Sequence, residues 1–391
     1  MKVLLVSNGH FDVFLPLVAQ LQNIVDCTFQ VQIEEDVFQQ SILDVPIHHR
    51  AYGGNISDED TARILEQIEA LVNRPLKMSF SKYPSRSFRD LHNWRVTAQW
   101  RRWVRDQKFD IVHYNGTSML FLQQLLMLPT GAKVFSIHDH VSHIGEEAPQ
   151  VRWLYKYMIA RKRHRFIAHS DHVLRGFVEE YGLSPERIRT VRFGALDLYK
   201  KWEDPSVKTD RNTILFFGRI SPYKGLEYLA EAWKRIRESN KEARLIIAGG
   251  GNFYFDISSL RADQRVEIHN RHIENAELVR FIQRAAVVVL PYVEATQSGV
   301  VMTAYAFNKP VVATSVGALP EVVEDGVTGK VVPPRNPERL ASAIMELLSN
   351  PGAGELMKRN IAKRKSGELS WDGIAQESVR VYESALRFGK E

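Results

Sequence analysis

The chain has 391 residues, 44% of them hydrophobic and 25% charged, which is ordinary for a folded protein and enough for two domains with full cores. Its formal net charge of +6 favours anionic partners but does not choose among nucleic acid, anionic lipid and phosphorylated metabolites. Cys27 is the single cysteine, which excludes an intrachain disulfide and a structural zinc site of the cysteine type.

Apolar runs are short throughout the sequence. None approaches the roughly 20 residues that a membrane-spanning helix needs. The apolar start at residues 1–7 is interrupted by Asn8, Gly9 and His10, well before it reaches the length of a signal-peptide core. We therefore expect a cytoplasmic protein.

Short runs rich in Val, Ile and Leu alternate with amphipathic segments along both halves of the chain. In the first half they predict helices such as 13–22, 88–105 and 118–127, and strands at 3–7, 27–32, 111–114, 133–138, 165–169 and 188–192. In the second half they predict strands at 213–217, 244–248, 266–270, 287–290, 311–313 and 330–332. Such runs indicate parallel sheets covered on both faces, so we predict an α/β fold with one doubly wound domain in each half.

A polar, proline-containing stretch at residues 198–212 separates the two halves. We predict an N-terminal domain over residues 1–200 and a second domain over residues 201–370. The spacing of apolar residues after Trp371 predicts a final helix within residues 371–391.

Two stretches of the first half, 88–105 and 152–165, combine aromatic with basic residues. In the first, Val96, Trp100 and Trp103 follow a helical stripe. Two interpretations stay open: these helices lie on an anionic membrane surface, or they pack their aromatic residues inward and solvate their arginines. Nucleic-acid binding is not expected, because no recognised motif accompanies the charge.

Histidines follow two neighbouring strands of the first half. His138 ends the strand at 133–138, and a histidine in that position is more often structural than functional unless it faces a cleft. His113 ends the preceding strand, and we expect it to line the same cleft. Asp139, His140 and His143 have no partner group at a matching spacing, so we predict no metal site.

A basic turn follows the first strand of the second half. Open α/β sheets bind ligands at the carboxyl ends of their strands, where Gly218 and Arg219 lie. Glycine allows close approach of a ligand to the backbone, and Arg219 and Lys224 are spaced so that both can reach one anion. The structural alternative is a solvated basic turn.

A polar segment follows the fourth strand of this half and leads into a helix. Ser298 is suited to cap that helix, and the amides of Gly299 and Val300 are then available to an anionic oxygen. Simple capping of a buried helix is the alternative, but it leaves the polar Thr296 and Gln297 unexplained.

The order and spacing of these two segments resemble the donor-binding half of the retaining glycosyltransferases of family 4. The resemblance is strong over residues 213–345 and implies the GT-B fold, in which two Rossmann-like domains face each other across a cleft and a C-terminal helix crosses back to the first domain. It also implies that backbone groups near Arg271 and His272 reach the nucleotide base.

The chain departs from the family at a pair of carboxylates. Family members show two glutamates eight residues apart before the segment that corresponds to residues 304–312. Thr303 occupies the position of the second, which normally holds the ribose. Ala295 occupies the position of the first, which normally contacts the donor sugar, so Glu294 or Gln297 would substitute for it.

Two further segments match the family in the first half. His138 corresponds to a histidine that faces the donor sugar. Asn8 and Gly9 follow the first strand, where the family has a glycine-rich loop that contacts donor phosphate or acceptor; a plain strand-to-helix turn is the equal alternative.

The resemblance implies a retaining hexosyltransferase of polysaccharide biosynthesis, cytoplasmic or peripheral on the inner membrane face. It would transfer a sugar from a nucleoside-diphosphate sugar to a hydroxyl of a glycan or lipid-linked acceptor, with no cofactor and no metal. The candidate catalytic residues are His138, Arg219 and Lys224. The candidate donor-binding residues are Asn8, Gly9, Gly218, Arg219, Lys224, Arg271, His272, Glu294, Thr296, Gln297, Ser298, Gly299, Val300 and Thr303.

Two alternatives stay open. A sugar-nucleotide epimerase would convert the donor without an acceptor, but it needs cleft carboxylates that the second half lacks. A non-catalytic subunit with this fold would explain the missing glutamates, but Arg219 and Lys224 argue against it.

Overall fold

The computed structural model describes residues 1–8, 11–33, 37–40, 43–46, 58–85, 87–128, 130–140, 149–296 and 298–388. The chain forms two compact units. One contains Met1–His140, Ala148–Phe193 and Trp371–Glu391, and the other is built on Gly194–Ser370. The long segment of the second unit therefore begins at Gly194, a few residues before the predicted limit at 200.

The first unit is built on a parallel seven-stranded sheet. The strands of this unit are β1 Lys2–Ser7, β2 Asp26–Ile33, β3 Val37–Gln40, β4 Leu43–Pro46, β5 Met78–Lys82, β6 Ile111–Asn115, β7 Ala132–Ile137, β8 Arg165–Ala168 and β9 Ile188–Thr190. The sheet order is β5-β2-β1-β6-β7-β8-β9, and β3 pairs with β4 in a separate antiparallel ribbon. Every strand predicted in this half is confirmed, whereas β3, β4 and β5 were missed.

The helices between these strands are α1 Phe11–Ile24, α2 Asp58–Val72, α3 Leu91–Gln107, α4 Met119–Met127, α5 Pro149–Ile159 and α6 Asp171–Tyr181. The aromatic stripe of α3 faces inward: Trp100 is buried and its indole N–H donates to Gln30 Oε1 at 2.5 Å, while Arg95 and Arg102 are exposed. For α3 the structure therefore favours the interpretation in which aromatic residues pack inside and arginines are solvated.

The second unit is built on a parallel six-stranded sheet in the order β12-β11-β10-β13-β14-β15. Its strands are β10 Thr213–Phe217, β11 Arg244–Ala248, β12 Val266–His269, β13 Val287–Leu290, β14 Val311–Thr314 and β15 Gly329–Val332, close to the predicted bounds. Its helices are α7 Leu226–Ser239, α8 Ser258–Ala262, α9 Asn275–Arg284, α10 Gly299–Ala306, α11 Leu319–Val322, α12 Pro337–Ser349 and α13 Pro351–Ser366. Both units are therefore Rossmann-like, as predicted.

Parallel register places the carboxyl ends of β10, β11 and β12 side by side. Phe217 of β10 is opposite Ala248 of β11, and Ala248 is opposite His269 of β12. The loops that follow these three strands consequently emerge at one edge of the sheet, where open α/β sheets bind ligands.

The final helix, α14 Trp371–Arg387, belongs to the first unit and packs against α1, β7 and β8. It buries Ile374, Val381 and Tyr382, whose spacing follows one helical face. Within the described ranges, no helix has the length and apolar character to cross a membrane.

Candidate functional site

The loops after β10 and β11 lie backbone against backbone at the carboxyl edge of the second sheet. Gly218 has φ +113° and Gly249 has φ +148°, and the Gly218 amide donates to Ala248 O at 2.9 Å. A Cβ on Gly249 would lie 2.0 Å from Gly218 O, so any other residue would push the two loops apart. Glycine is therefore required here, and the surface at this point consists of backbone rather than side chains.

Lys224 is fixed by a tyrosine that the sequence pattern did not single out. Its ammonium donates to Tyr292 Oη at 2.7 Å and lies 3.9 Å from the centre of the Tyr292 ring and 5.0 Å from that of Tyr223. Burial raises the pKa of the Tyr292 hydroxyl, an effect that Ser298 partly offsets. The position of Tyr292, two residues beyond the carboxyl end of β13, was the available signal.

Backbone contacts hold the basic turn against the segment that follows β13. Gly225 has φ +64°, and a Cβ there would lie 2.0 Å from Pro291 O. The Val293 amide donates to Tyr223 O at 2.9 Å. The structure thus brings together the two segments that the sequence proposed as one site.

Arg219 extends from the end of β10 with an exposed side chain, next to the start of α10. A Cβ on the neighbouring Gly218 would lie 3.5 Å from a methyl carbon of Val300, in the first turn of that helix. Arg219, Gly218 and the free amides at the start of α10 therefore share one region of the unit, as an anion site requires.

Ser298 occupies the N-cap position of α10 but does not cap the helix. Within the described part of the helix, its side chain accepts no hydrogen bond from the first-turn amides. It lies instead beside the Tyr292 phenol, whose pKa it partly lowers through a hydrogen bond. Among the described residues, Ser221 Oγ in the basic turn is buried and has no hydrogen-bond partner. Buried hydroxyls are normally satisfied, so Ser221 Oγ marks unused hydrogen-bonding capacity beside the candidate anion site. Simple capping by Ser298 was the alternative expectation, and its side chain does not provide it.

Thr303 is buried within α10. Its hydroxyl donates to Gly299 O at 2.9 Å, one helical turn earlier. The hydroxyl proton of Thr303 is therefore engaged within the helix. In any hydrogen bond to a ribose, the ribose hydroxyl would have to donate and Thr303 Oγ1 would accept.

The other candidate donor-binding residues of this unit surround the same strand ends. Glu294 is half-buried and Thr296 is buried in the segment after β13, while Gln297 lies outside the described residues. Arg271 and His272 are exposed after β12; the Arg271 guanidinium pairs with Glu277 at 2.7 Å and donates to His272 O at 3.0 Å.

In the first unit, His138 belongs to a series of hydrogen-bonded side chains at the carboxyl ends of β1, β6 and β7. Its Nε2 lies 2.7 Å from Asn115 Oδ1, and the Asn115 amide donates to Ser7 Oγ at 2.9 Å. Because the Asn115 oxygen can only accept, His138 Nε2 carries the proton. The imidazole ring is buried and stacks on the ring of Phe193, with 5.8 Å between the two ring centres.

Asn8 follows β1 and donates to Ser118 Oγ at 3.0 Å, at the start of α4. Its partner in the proposed loop, Gly9, lies outside the described residues.

His113 does not line an open edge, contrary to expectation. It is fully buried, with Nδ1 2.8 Å from Tyr382 Oη on α14 and Nε2 3.0 Å from Ser136 Oγ. Burial, together with the nearby His169, lowers the pKa of His113 to about 3. This histidine is a neutral link between the sheet and the final helix.

A cavity of about 430 Å³ lies at the opposite, amino edge of the second sheet. Lys309, just before β14, lines it, and its ammonium donates to Thr209 Oγ1, Gln283 O and Ala285 O at 2.8–2.9 Å. The cavity is therefore separate from the candidate anion site. Over the part of the chain that the structure describes, no three His, Cys, Asp or Glu side chains are grouped to hold a metal ion.

Family models of glycosyltransferases match both halves of the chain. A model described as Glycosyltransferase Family 4 matches residues 58–195, and one described as Glycosyl transferases group 1 matches residues 211–350. An uncharacterized glycosyltransferase of Methanocaldococcus jannaschii is 34% identical over 204 residues, which is 49% of this chain and 51% of that protein. The chain thus spans about half the length of this relative.

Two further proteins resemble the chain over a larger share of its length. An alpha-D-kanosaminyltransferase of Streptomyces kanamyceticus is 25% identical over 279 residues, 67% of this chain and 72% of that protein. The structure of Anabaena HepE in complex with UDP and glucose covers 98% of this chain and 100% of that chain, with a TM-score of 0.71 and 18% identity, which shows the fold. With a family model on each half and the GT-B fold over nearly its whole length, the chain belongs to glycosyltransferase family 4.

Proposed function

We propose that this protein is a retaining glycosyltransferase. It transfers a hexose from a nucleoside-diphosphate sugar to a hydroxyl of a glycan or lipid-linked acceptor in polysaccharide biosynthesis. The observation that carries the proposal is the convergence of Arg219, the fixed ammonium of Lys224 and the first amides of α10 at the carboxyl edge of one sheet. The UDP and glucose bound to HepE, which has the same fold, agree with such a donor.

The proposed chemistry rests on stabilising the leaving diphosphate. As the bond between the sugar and the diphosphate breaks, negative charge grows on the phosphate oxygens, and donors already in place stabilise it without reorganising. Two cationic side chains supply that charge, so the proposal needs no metal and no cofactor. In the retaining reaction the departing phosphate oxygen takes the acceptor proton, and the acceptor attacks the same face of the sugar. His138 is proposed to contact the donor sugar.

Thermal unfolding with UDP, GDP, ADP and dTDP, each with and without a chelator, tests the donor site. A nucleotide at a hundredfold excess over its Kd stabilises the protein by about 2.7 kcal/mol, which is a shift of several degrees in Tm. We expect one diphosphate to give this shift and the chelator to leave it unchanged. The sugar conjugate of that nucleotide is then the donor for a transfer assay, in which turnover without any acceptor would indicate an epimerase.

Arg219→Ala supplies the matched variant for both measurements. Removing one such donor typically costs a factor of about 100–1000 in rate. Arg244→Ala is the control, because Arg244 is also exposed but begins β11 at the opposite edge of the sheet. The site assignment fails if Arg219→Ala transfers sugar as fast as Arg244→Ala. A wild-type protein that no diphosphate stabilises would instead be a non-catalytic subunit.

We also propose that the first unit contacts an anionic membrane at the cytoplasmic face, where a lipid-linked acceptor would be presented. Trp153 on α5 is 56% exposed and stacks on Tyr157, and Lys156 and Arg163 nearby are exposed. An indole beside basic side chains is suited to the headgroup region of an anionic bilayer. Binding to lipid vesicles tests this.

A further inference from the structure

The ammonium of Lys224 is held by more contacts than a surface lysine needs. A lysine side chain has a flexible four-carbon stem, and holding it in one place normally costs conformational entropy. Here the Lys224 ammonium donates a hydrogen bond to Tyr292 Oη at 2.7 Å. It also lies over the face of the same ring, 3.9 Å from the ring centre. One tyrosine thus provides both a hydrogen bond and a cation–π contact.

The direction of the bond between Lys224 and Tyr292 follows from chemistry. An ammonium can only donate, so the Tyr292 oxygen accepts and its own proton must point elsewhere. Burial raises the pKa of Tyr292, so the phenol keeps that proton. The side chain of Ser298 lies close enough to this phenol to offset part of the rise in its pKa through a hydrogen bond.

The backbone of Tyr292 is anchored to the sheet. Thr314 Oγ1, at the end of β14, donates to Tyr292 O at 2.6 Å. The neighbouring Pro291 carbonyl lies against Gly225, and the Val293 amide is bonded to Tyr223 O. The backbone of Tyr292 is therefore fixed by β14 and by the basic turn, and its ring is buried. The tyrosine is consequently a rigid support for the flexible lysine.

We propose that Tyr292 is a positioning residue that sets the Lys224 ammonium at the distal phosphate of the nucleoside diphosphate. This inference rests on the proposed donor site. It goes beyond that site because it makes the strength of the diphosphate contact depend on a tyrosine that carries no charge.

Tyr292→Phe is the direct test, because it retains the ring and removes only the hydroxyl. Binding of UDP, GDP, ADP and dTDP, and of the corresponding nucleoside monophosphates, is measured by isothermal titration. For the diphosphate that wild type prefers, we expect Kd to rise about tenfold, while Kd for the matching monophosphate changes less than twofold. The retained monophosphate affinity also shows that the variant is folded.

Tyr305→Phe is the matched control in the same unit. Tyr305 is buried, and its hydroxyl donates to Val322 O at 3.1 Å or to Thr328 Oγ1 at 2.8 Å, away from the basic turn. It should lower Tm without changing the ratio of diphosphate to monophosphate affinity. A merely structural role for Tyr292 would give that same pattern in Tyr292→Phe, and this result would overturn the inference.

A double-mutant cycle tests whether Tyr292 acts through Lys224. If it does, adding Tyr292→Phe to Lys224→Met should weaken diphosphate binding by less than twofold, because the group to be positioned is already gone. Two fully additive losses would contradict the inference. If wild type binds none of the four diphosphates, the proposed function and this inference both fail; if wild type binds one and Tyr292→Phe binds it equally well, only the inference fails.

Discussion

Gly225 and Gly326 have nearly the same backbone conformation but very different surroundings. Their φ angles are +64° and +74°, in the left-handed region that favours glycine. A Cβ on Gly225 would lie 2.0 Å from Pro291 O, whereas a Cβ on Gly326 would have no atom within 4 Å. Comparing the two positions separates the cost of the backbone conformation from the cost of the clash that holds the basic turn in place.

Gly225→Ala should therefore destabilise the second unit more than Gly326→Ala. The left-handed conformation costs an alanine about 1–2 kcal/mol at either position. At Gly225 the clash adds about 1–3 kcal/mol, because a backbone carbonyl cannot move aside as a side chain can. Thermal unfolding of both variants gives the difference. Equal losses of Tm would show that the close contact between the turn and Pro291 is not rigid.

The sequence predicts the charged residues of the proposed donor site better than the residues that hold them in place. The run from Gly218 to Gly225 locates Arg219 and Lys224, because parallel sheets place ligands at their carboxyl edges. It could not show that Lys224 contacts Tyr292, since the two residues are 68 positions apart and only the folded sheet brings them together. The same holds for Thr303. Its sequence position suggested a hydroxyl free to bind the ribose, but in α10 that hydroxyl donates a hydrogen bond to Gly299 O.

The final helix is attached to the first unit partly through a histidine that must stay neutral. His113 of β6 joins Tyr382 of α14 to Ser136 of β7, and its pKa is lowered to about 3. His164 is also buried, bonded to Met158 O at 2.8 Å, with its pKa lowered to about 3 by burial and by Lys133. Folding therefore opposes protonation of both histidines.

Acid should consequently destabilise the first unit within a defined range of pH. Below about pH 6.5 the unfolded chain binds a proton at each histidine, and the folded chain does not until about pH 3. The free energy of unfolding should thus fall as pH decreases from 6.5 to 3, by about 1.4 kcal/mol per pH unit for each histidine.

His113→Asn should reduce this slope, although it also removes bonds and lowers stability at neutral pH. Urea unfolding at several pH values measures the slope for wild type and variant. Identical slopes would mean that His113 binds its proton at the same pH in the folded and the unfolded chain, against its buried place between Tyr382 and Ser136.

At the scale of elements, the missed strands have a common physical explanation. β5 carries Ser79, Ser81 and Lys82 among its apolar residues and pairs only with β2, at the edge of the sheet. Edge strands need fewer apolar residues than central ones, so apolar runs alone do not reveal them. β3 and β4 are four residues each and lie outside the main sheet.

At the scale of the whole molecule, the proposed membrane contact makes a prediction about lipid charge. The protein should sediment with vesicles that contain phosphatidylglycerol but not with phosphatidylcholine vesicles. About 0.5 M salt should release it, because salt screens the attraction between its basic side chains and the anionic headgroups. Trp153→Ala should weaken binding several-fold.

Leu356→Ala is the control for this experiment. Leu356 is 49% exposed, similar to Trp153, but it belongs to α13 of the second unit. Equal binding by both variants and wild type would exclude α5 as the contact. Exposure of Trp153 was not evident from sequence, because the same basic aromatic pattern in α3 buries Trp100.

The buried cysteine has a practical consequence. Cys27 is the single cysteine of the chain, it is 1% exposed in β2, and burial raises the pKa of its thiol to about 12. Thiol reagents act on the thiolate, so the folded protein should be almost inert to them. A cysteine introduced on the surface of each unit would then be the site of labelling, and a fluorophore pair attached there would report the distance between the units as donor and acceptor bind.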